Sequence, residues 1–353
     1  MENIKPINLA ISGFGIVGER RYKCINKIKG MKIVAVCDQN KDVKSKFSAN
    51  INFYTNYKKM LIQENIDALF VCMSNDILPE VVCSALELGM HVFCEKPPGK
   101  DLESIKKIVD VKKRLPNLKL MYGFNHRYHD SIKHASKIIK SKEMGKIINM
   151  RGIYGKAKMI TFNQNNWRTK REFSGGGVLL DQGIHMVDLM RYFAGDFTEV
   201  FSVISNDHWN YDVEDNAYAL MKTSEGVVAT LHSSATQWHH RFSLEINLEK
   251  GSVNLNGILS GTKSYGEETM TVISADPDHD FGRPVEKRYT YNYDPSWERE
   301  VELFYSAIKQ NESISDVGIE DAYETMKLVY EIYYADHKWR KTYNIKKPLR
   351  INE

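Results

Sequence analysis

The sequence predicts an α/β chain in two parts. The first is an N-terminal doubly wound parallel sheet; the second is a C-terminal α/β domain built on a large, open, mostly antiparallel sheet. Three observations carry this. Up to Gly123, apolar runs alternate with helical patterns, which marks a parallel sheet covered on both faces. After Phe124, strand patterns follow one another across short turns such as Ser224-Glu225-Gly226, as antiparallel strands do. The length of 353 residues suits about two domains at ~150 residues each.

The elements follow in order. Ile7–Ser12 is an apolar run, Ile16–Ile28 is helical, and Lys32–Cys37 is β-branched. A short helix over Tyr57–Gln63 precedes the apolar run Ala68–Met73. The helix Pro79–Leu88 has Pro in its first turn and Gly89 as its stop, the expected asymmetry. Met90–Cys94 is the next strand; Asp101 is positioned to cap a helix over Leu102–Leu115, and Lys119–Gly123 is a further strand. In the second part, helices are expected at Ser131–Ser141 and Gly177–Phe193. Strands are expected at Ile147–Tyr154, Glu199–Ser205, Asn216–Lys222, Val227–Ser233, Ser243–Leu248 and Thr269–Ser274. Residues 275–296, rich in Asp, Pro, Tyr and Arg, read as an irregular excursion before helices at Trp297–Lys309 and Ile319–Lys338. The domain boundary is placed between residues 1–123 and 124–353, with the C-terminal helix free to pack back on the first domain.

Composition narrows the class. Lys and Arg number 49 against 45 Asp and Glu, a net charge of +4. That is too small for a nucleic-acid footprint or a polybasic membrane surface. No apolar run approaches the ~20 residues of a spanning helix. Met1–Pro6 leads straight into a strand without a cleavage-site pattern, so a cytoplasmic protein is expected. Five cysteines, Cys24, Cys37, Cys72, Cys83 and Cys94, contain no CxxC pair. They read as reduced thiols rather than a metal site.

Gly13-Phe14-Gly15-Ile16-Val17-Gly18 is a GxGxxG between a strand and a helix. The first glycine allows the tight turn, the second lets backbone approach a pyrophosphate, and the third lets helix and strand pack closely. The helix N-terminus then presents free N–H groups to the anion. Asp38 ends the next strand 20 residues after Gly18, where a carboxylate would bind ribose hydroxyls and repel a 2′-phosphate. The N-terminal part is therefore a Rossmann-type domain favouring NAD, although nearby Lys41 leaves NADP open.

Two further segments are specific. They are Gly89-Met90-His91-Val92-Phe93-Cys94-Glu95-Lys96-Pro97-Pro98 and Ser174-Gly175-Gly176-Gly177-Val178-Leu179-Leu180-Asp181-Gln182-Gly183-Ile184-His185. Together with the glycine fingerprint they resemble the Gfo/Idh/MocA family of oxidoreductases, over essentially the whole chain. The resemblance implies catalytic roles for Lys96, Asp181 and His185, and hydride transfer between nicotinamide and a secondary alcohol of a sugar or cyclitol. It also implies a homodimer or homotetramer. The residue types suit that chemistry: an imidazole accepts the alcohol proton near neutral pH, and an ammonium stabilises the developing alkoxide.

Around this core, Ser74 and Asn75 can offer polar groups to the cofactor, and Glu95 plays a supporting part there. The stretch also departs from the family here: the TP-x-x-x-H pattern common after the Ala68–Met73 strand is replaced by Ser74-Asn75-Asp76-Ile77-Leu78. Arg127 and Tyr128 match the family's Arg-aromatic pair, and Trp167-Arg168 matches its WR element. All four are expected at the substrate, where Arg168 could bind a phosphate or carboxylate. His239 and His240, beside Trp238, could face the sugar or lie on the sheet surface. Phe201, Tyr218 and Trp238 on the open sheet suggest a self-association face. The expected function is an NAD-dependent dehydrogenase of a sugar, free, phosphorylated or nucleotide-linked, or of a cyclitol. The alternatives are an NAD-using glycosidase or sugar dismutase with transient oxidation, and a non-catalytic dinucleotide-binding regulator.

Overall fold

The structure, a computed structural model, describes residues 5–157, 167–261, 263–275, 284–314 and 316–351. The chain forms two compact units. One comprises Met1–Asn125 with Trp297–Tyr323, the other His126–Ser296 with Glu324–Glu353. Residues 297–323 thus group with the first unit.

In the first unit, strands β1 (Ile7–Ser12), β2 (Met31–Cys37), β3 (Asn52–Tyr54), β4 (Ala68–Val71), β5 (His91–Glu95) and β6 (Leu120–Gly123) alternate with four helices. These are α1 (Ile16–Ile25), α2 (Tyr57–Gln63), α3 (Leu78–Glu87) and α4 (Leu102–Arg114). The sheet order is β3-β2-β1-β4-β5-β6, and every pairing is parallel. Chain direction across the sheet therefore reverses between β1 and β4, the crevice where α/β sheets bind ligands. Central strands buried on both faces are apolar throughout, as all four residues of β4 show. Asp101 caps α4 as expected, its Oδ1 accepting the Ser104 N–H at 2.8 Å.

The helix α8 (Ser296–Lys309) supplies Phe304 to this core, edge-on to Phe70 and Phe93 at 5.6 and 5.7 Å. Trp297 and Glu300 from the same helix meet Arg21, which is fully buried. Arg21 Nε lies 2.6 Å from Glu95 and its Nη2 lies 2.7 Å from Glu300, with the guanidinium 4.4 Å over Phe93 and 4.3 Å over Trp297. Removing one member of such a buried network would strand the others' charge.

The second unit carries α5 (Asp130–Ser141), β7 (Ile147–Gly155), α6 (Arg171–Ser174), a π-helical turn at Leu179–Gly183, α7 (Ile184–Ala194) and strands β8 (Phe197–Ser205) to β14 (Val285–Tyr291). The strands between are β9 (Asn216–Thr223), β10 (Val228–Ser234), β11 (Arg241–Leu248), β12 (Gly251–Asn256) and β13 (Glu268–Ser274). Their order is β14-β13-β12-β11-β7-β10-β9-β8. All pairs are antiparallel except β7 with β10, which run parallel from Asn149↔Val228 to Gly155↔Ser234. The unit ends with the remainder of α9 (Ile319–Ala335), after which Asp336 caps α10 (His337–Thr342) by accepting the Trp339 N–H at 2.8 Å.

Several expectations change. The single helix at Gly177–Phe193 is instead a π turn followed by α7. Strand β12 appears where none was expected. Part of the 275–296 excursion is strand β14, a mostly exposed edge strand whose charged residues mask its alternation; residues 276–283 lie outside the described residues. Trp238 is not on a strand but in the β10–β11 connection, 64% exposed. No helix among the described residues is long and apolar enough to cross a membrane.

Candidate active-site elements

The dinucleotide elements belong to the first unit. Gly13 has φ +89°, and a Cβ there would fall 2.3 Å from the Cys72 carbonyl. A Cβ on Gly18 would fall 2.1 Å from the Gly13 carbonyl oxygen. Both positions therefore require glycine. Gly15 differs: nothing lies within 4 Å of its virtual Cβ, so the backbone offers an open cradle at the start of α1. That start has no side-chain cap, leaving its N–H groups for an anion. Ile16 projects outward at 74% exposure, whereas the ring of Phe14 is buried against Tyr22 and Phe47. Phe14 serves this site through its backbone, whose N–H donates to Asp38 Oδ2 at 2.6 Å. Asp38 Oδ1 accepts the Asn40 N–H at 2.8 Å. The carboxylate is thus locked beside the glycine turn, with a second lone pair on each oxygen. Open cradle, uncapped helix start and held carboxylate fit the pyrophosphate and ribose of NAD, which Gly13–Gly18 and Asp38 would hold.

The other predicted residues of this unit fall as follows. The Ser74 carbonyl accepts the Ile77 and Leu78 N–H groups at 3.2 and 3.1 Å, starting α3, and Asn75 is buried. Lys96 follows β5 directly and is half-buried. Glu95 pairs through Oε1 with Arg21 at 2.6 Å, which anchors the end of β5.

The second unit holds the remaining candidates. Asp181 lies in the π turn and meets two cations, Lys156 Nζ at 3.2 Å and Arg168 Nε at 3.5 Å. All three side chains are partly accessible, and the Arg168 guanidinium lies 4.4 Å over Trp167. His185, second residue of α7 and 6% exposed, stacks on His126 with ring centroids 3.8 Å apart and planes 14° apart. His126 Nε2 is 3.0 Å from the Tyr154 hydroxyl. Burial pushes the Tyr154 phenol well above its ordinary value, which keeps it neutral. Gln182 Nε2 donates to the Tyr265 hydroxyl at 2.5 Å. Asp181 and His185 are therefore carried by two different turns of one continuous segment, not by a single regular α-helix.

Arg127 is paired within the second unit. Its Nε and Nη2 hold the two oxygens of Asp188 at 2.8 and 2.6 Å, and the pair is almost fully buried. A bidentate buried pair fixes Arg127 to α7 and commits its guanidinium to Asp188. The Tyr128 ring is likewise buried, with Lys133 Nζ 4.9 Å from its centre. His240 bonds Ser264 at 3.0 Å. Sequence reasoning passed over His126, Tyr154, Lys156 and Tyr265. The first sits beside Arg127 in the chain, and Lys156 follows β7 directly; the partners that make them informative come from distant parts of the chain.

A glycine cradle with a carboxylate held beside it in the first unit, and a buried imidazole and a cation-flanked carboxylate in the second, are elements that suit a dinucleotide-dependent oxidoreductase. Residues 7–124 match the oxidoreductase family with an NAD-binding Rossmann fold, and residues 132–254 match the GFO/IDH/MocA C-terminal domain. The chain belongs to the GFO/IDH/MocA family. It is 28% identical over 255 residues to D-glucoside 3-dehydrogenase of Escherichia coli (strain K12), covering 65% of this chain and 70% of that protein. The crystal structure of myo-inositol 2-dehydrogenase from Lactobacillus plantarum aligns with a TM-score of 0.78 at 28% identity, over 94% of this chain and 97% of that one. Levoglucosan dehydrogenase in complex with NADH shares the fold, with a TM-score of 0.82 at 20% identity over 95% and 98% of the two chains.

Proposed function

We propose that this enzyme oxidises a secondary alcohol of a polyhydroxylated ring, a sugar, glycoside or cyclitol, using NAD. The carrying observation is the segment Leu179–His185. It presents a buried imidazole steadied by a second ring, and a carboxylate oriented by Lys156 and Arg168. His185 takes the alcohol proton as general base. Lys96 stabilises the alkoxide as the C–H bond weakens. Asp181, Lys156 and Arg168 are the donors and acceptors for ring hydroxyls. NAD, when bound, accepts the hydride. The relatives' glucoside and inositol substrates support a ring rich in hydroxyls, and Asp38 favours NAD over NADP by repelling a 2′-phosphate. The test is NADH formation against cyclitols, free sugars, glycosides and sugar phosphates. NADH accumulating in step with ketone supports net oxidation; product without NADH would make the enzyme a glycosidase or dismutase.

The same reading makes the protein a homo-oligomer. Phe201 and Val203 on β8 and Tyr218 and Leu220 on β9 project from the open sheet face, where a shallow depression of about 480 Å³ lies across β7 to β10. Such a patch is unusual on a monomer, and a second copy of the same face is the occupant. Light scattering giving a monomer at micromolar concentration would remove it. The five free cysteines suit the reducing cytoplasm.

A further inference from the structure

Glu214 lies two residues before β9 and is fully buried. Its Oε2 accepts the Gly177 N–H at 2.8 Å, and its Oε1 accepts the Leu179 N–H at 3.0 Å and the Tyr333 hydroxyl at 2.6 Å. Its own backbone carbonyl accepts the Val178 N–H at 3.2 Å. Three consecutive amides, 177 to 179, therefore end on one residue. They are the donors at the start of the π turn, whose N-cap, Val178, offers no side-chain acceptor. The next bond along, Asp181 N–H to the Gly177 carbonyl at 2.8 Å, passes the placement on to Asp181.

The clamp depends on close approach. A Cβ at Gly177 would lie 2.1 Å from the Glu214 carbonyl, and one at Gly176 would lie 2.2 Å from the Tyr333 hydroxyl. Only donors face the carboxylate, so the arrangement calls for an ionised acceptor. Burial outweighs the Tyr333 hydroxyl, the Arg171 charge and the Gly177 amide, which favour the ionised form, and leaves this carboxyl above its ordinary value. The neighbouring Asp215 is held just as firmly: its Oδ2 accepts the His208 and Trp209 N–H groups at 2.9 and 3.0 Å. The acid therefore sits on a braced strand end.

We propose that Glu214 is a positioning residue for the active site, clamping Gly177–Leu179 so that the π turn and α7 present Asp181 and His185 in one fixed arrangement. This rests on the oxidoreductase reading of those two residues. The carboxylate itself touches neither substrate nor cofactor.

The test uses the full-length enzyme with Glu214→Gln, which keeps size and one acceptor, and Glu214→Ala. Thermal melting establishes that each is folded. Two readouts follow: kcat and KM for the ring alcohol, and hydrogen exchange of the segment 175–185 without ligand. The expected result is faster exchange in that segment and a kcat loss of about 100-fold in Glu214→Ala, the scale of a small misplacement of catalytic groups. The loss is smaller in Glu214→Gln, and NADH affinity is unchanged in both. Should Glu214→Ala fail to fold, Glu214→Gln decides. Wild-type kcat in a folded variant, or unchanged exchange across 175–185, overturns the proposal. If the wild-type enzyme oxidises no ring alcohol, the functional reading fails instead, and exchange still reports whether Glu214 holds the turn.

Discussion

On the proposed function, replacing Asp38 with Asn separates two jobs that one carboxylate would perform, binding the ribose and repelling a 2′-phosphate. The side chain accepts two backbone N–H groups, from Phe14 at 2.6 Å and Asn40 at 2.8 Å. Asn has one carbonyl oxygen, so one of these amides meets an NH2 group instead. Hydrogen bonds to a charged acceptor contribute about 1.5–3 kcal/mol each. Weakening those to the ribose raises KM for NAD by roughly 10- to 100-fold. The discrimination term is separate. A phosphate anion brought to ~4 Å of the carboxylate at an effective dielectric of ~20 is disfavoured by about 4 kcal/mol per unit charge. That corresponds to roughly a thousandfold preference for NAD, and Asp38→Asn erases most of it. The assay is kcat/KM with NAD and with NADP for wild type and variant. Loss for NAD together with gain for NADP is the expected result. A ratio of the two that stays at the wild-type value would refute the placement of Asp38 at the ribose.

Three other outcomes follow from the same geometry. Lys96→Met and His185→Ala abolish turnover while NADH fluorescence shows cofactor binding intact; near-normal kcat in either would break the assignment. Arg127→Met strands the buried Asp188 carboxylate and costs about 3–5 kcal/mol of stability by urea unfolding; a change confined to KM would restore Arg127 to the substrate site. Burial works to raise the Glu268 carboxyl, but His129, Ser131 and the Leu259 N–H outweigh it and hold it below its ordinary 4.5. The folded state then binds fewer protons than the unfolded one. This contribution is present above pH 4.5 and lost as pH falls through the lowered value. Urea midpoints of wild type and Glu268→Gln should therefore diverge above that pH and converge in acid.

Local chemistry was enough to read the first unit. The glycine spacing and the capping Asp101 act over short stretches of chain, and each sits where its residue type demanded, while Asp38 accepts the Phe14 N–H beside the glycine turn. Parallel strands buried on both faces announce themselves as apolar runs. The second unit was less legible, for a stated reason in each case. Strand β12 is a short hairpin partner of β11, and β14 is an edge strand carrying Glu286, Lys287 and Arg288, so neither shows a strong apolar rhythm. A π turn has no sequence period of its own; here it follows where the 177–179 amides find a buried acceptor.

The sequence carried the glycine turn for a dinucleotide, and its resemblance to the family supplied the expected reaction class, with a lysine, an aspartate and a histidine for moving charge. Folding decided which polar groups serve each other. Arg127 matched a family pattern but was claimed by Asp188, Glu95 by Arg21, and the segment bearing Asp181 and His185 by Glu214. These partners lie 37 to 74 positions apart in the chain. Because a buried charge must find its counterpart wherever packing brings one, such pairings are properties of the packed core.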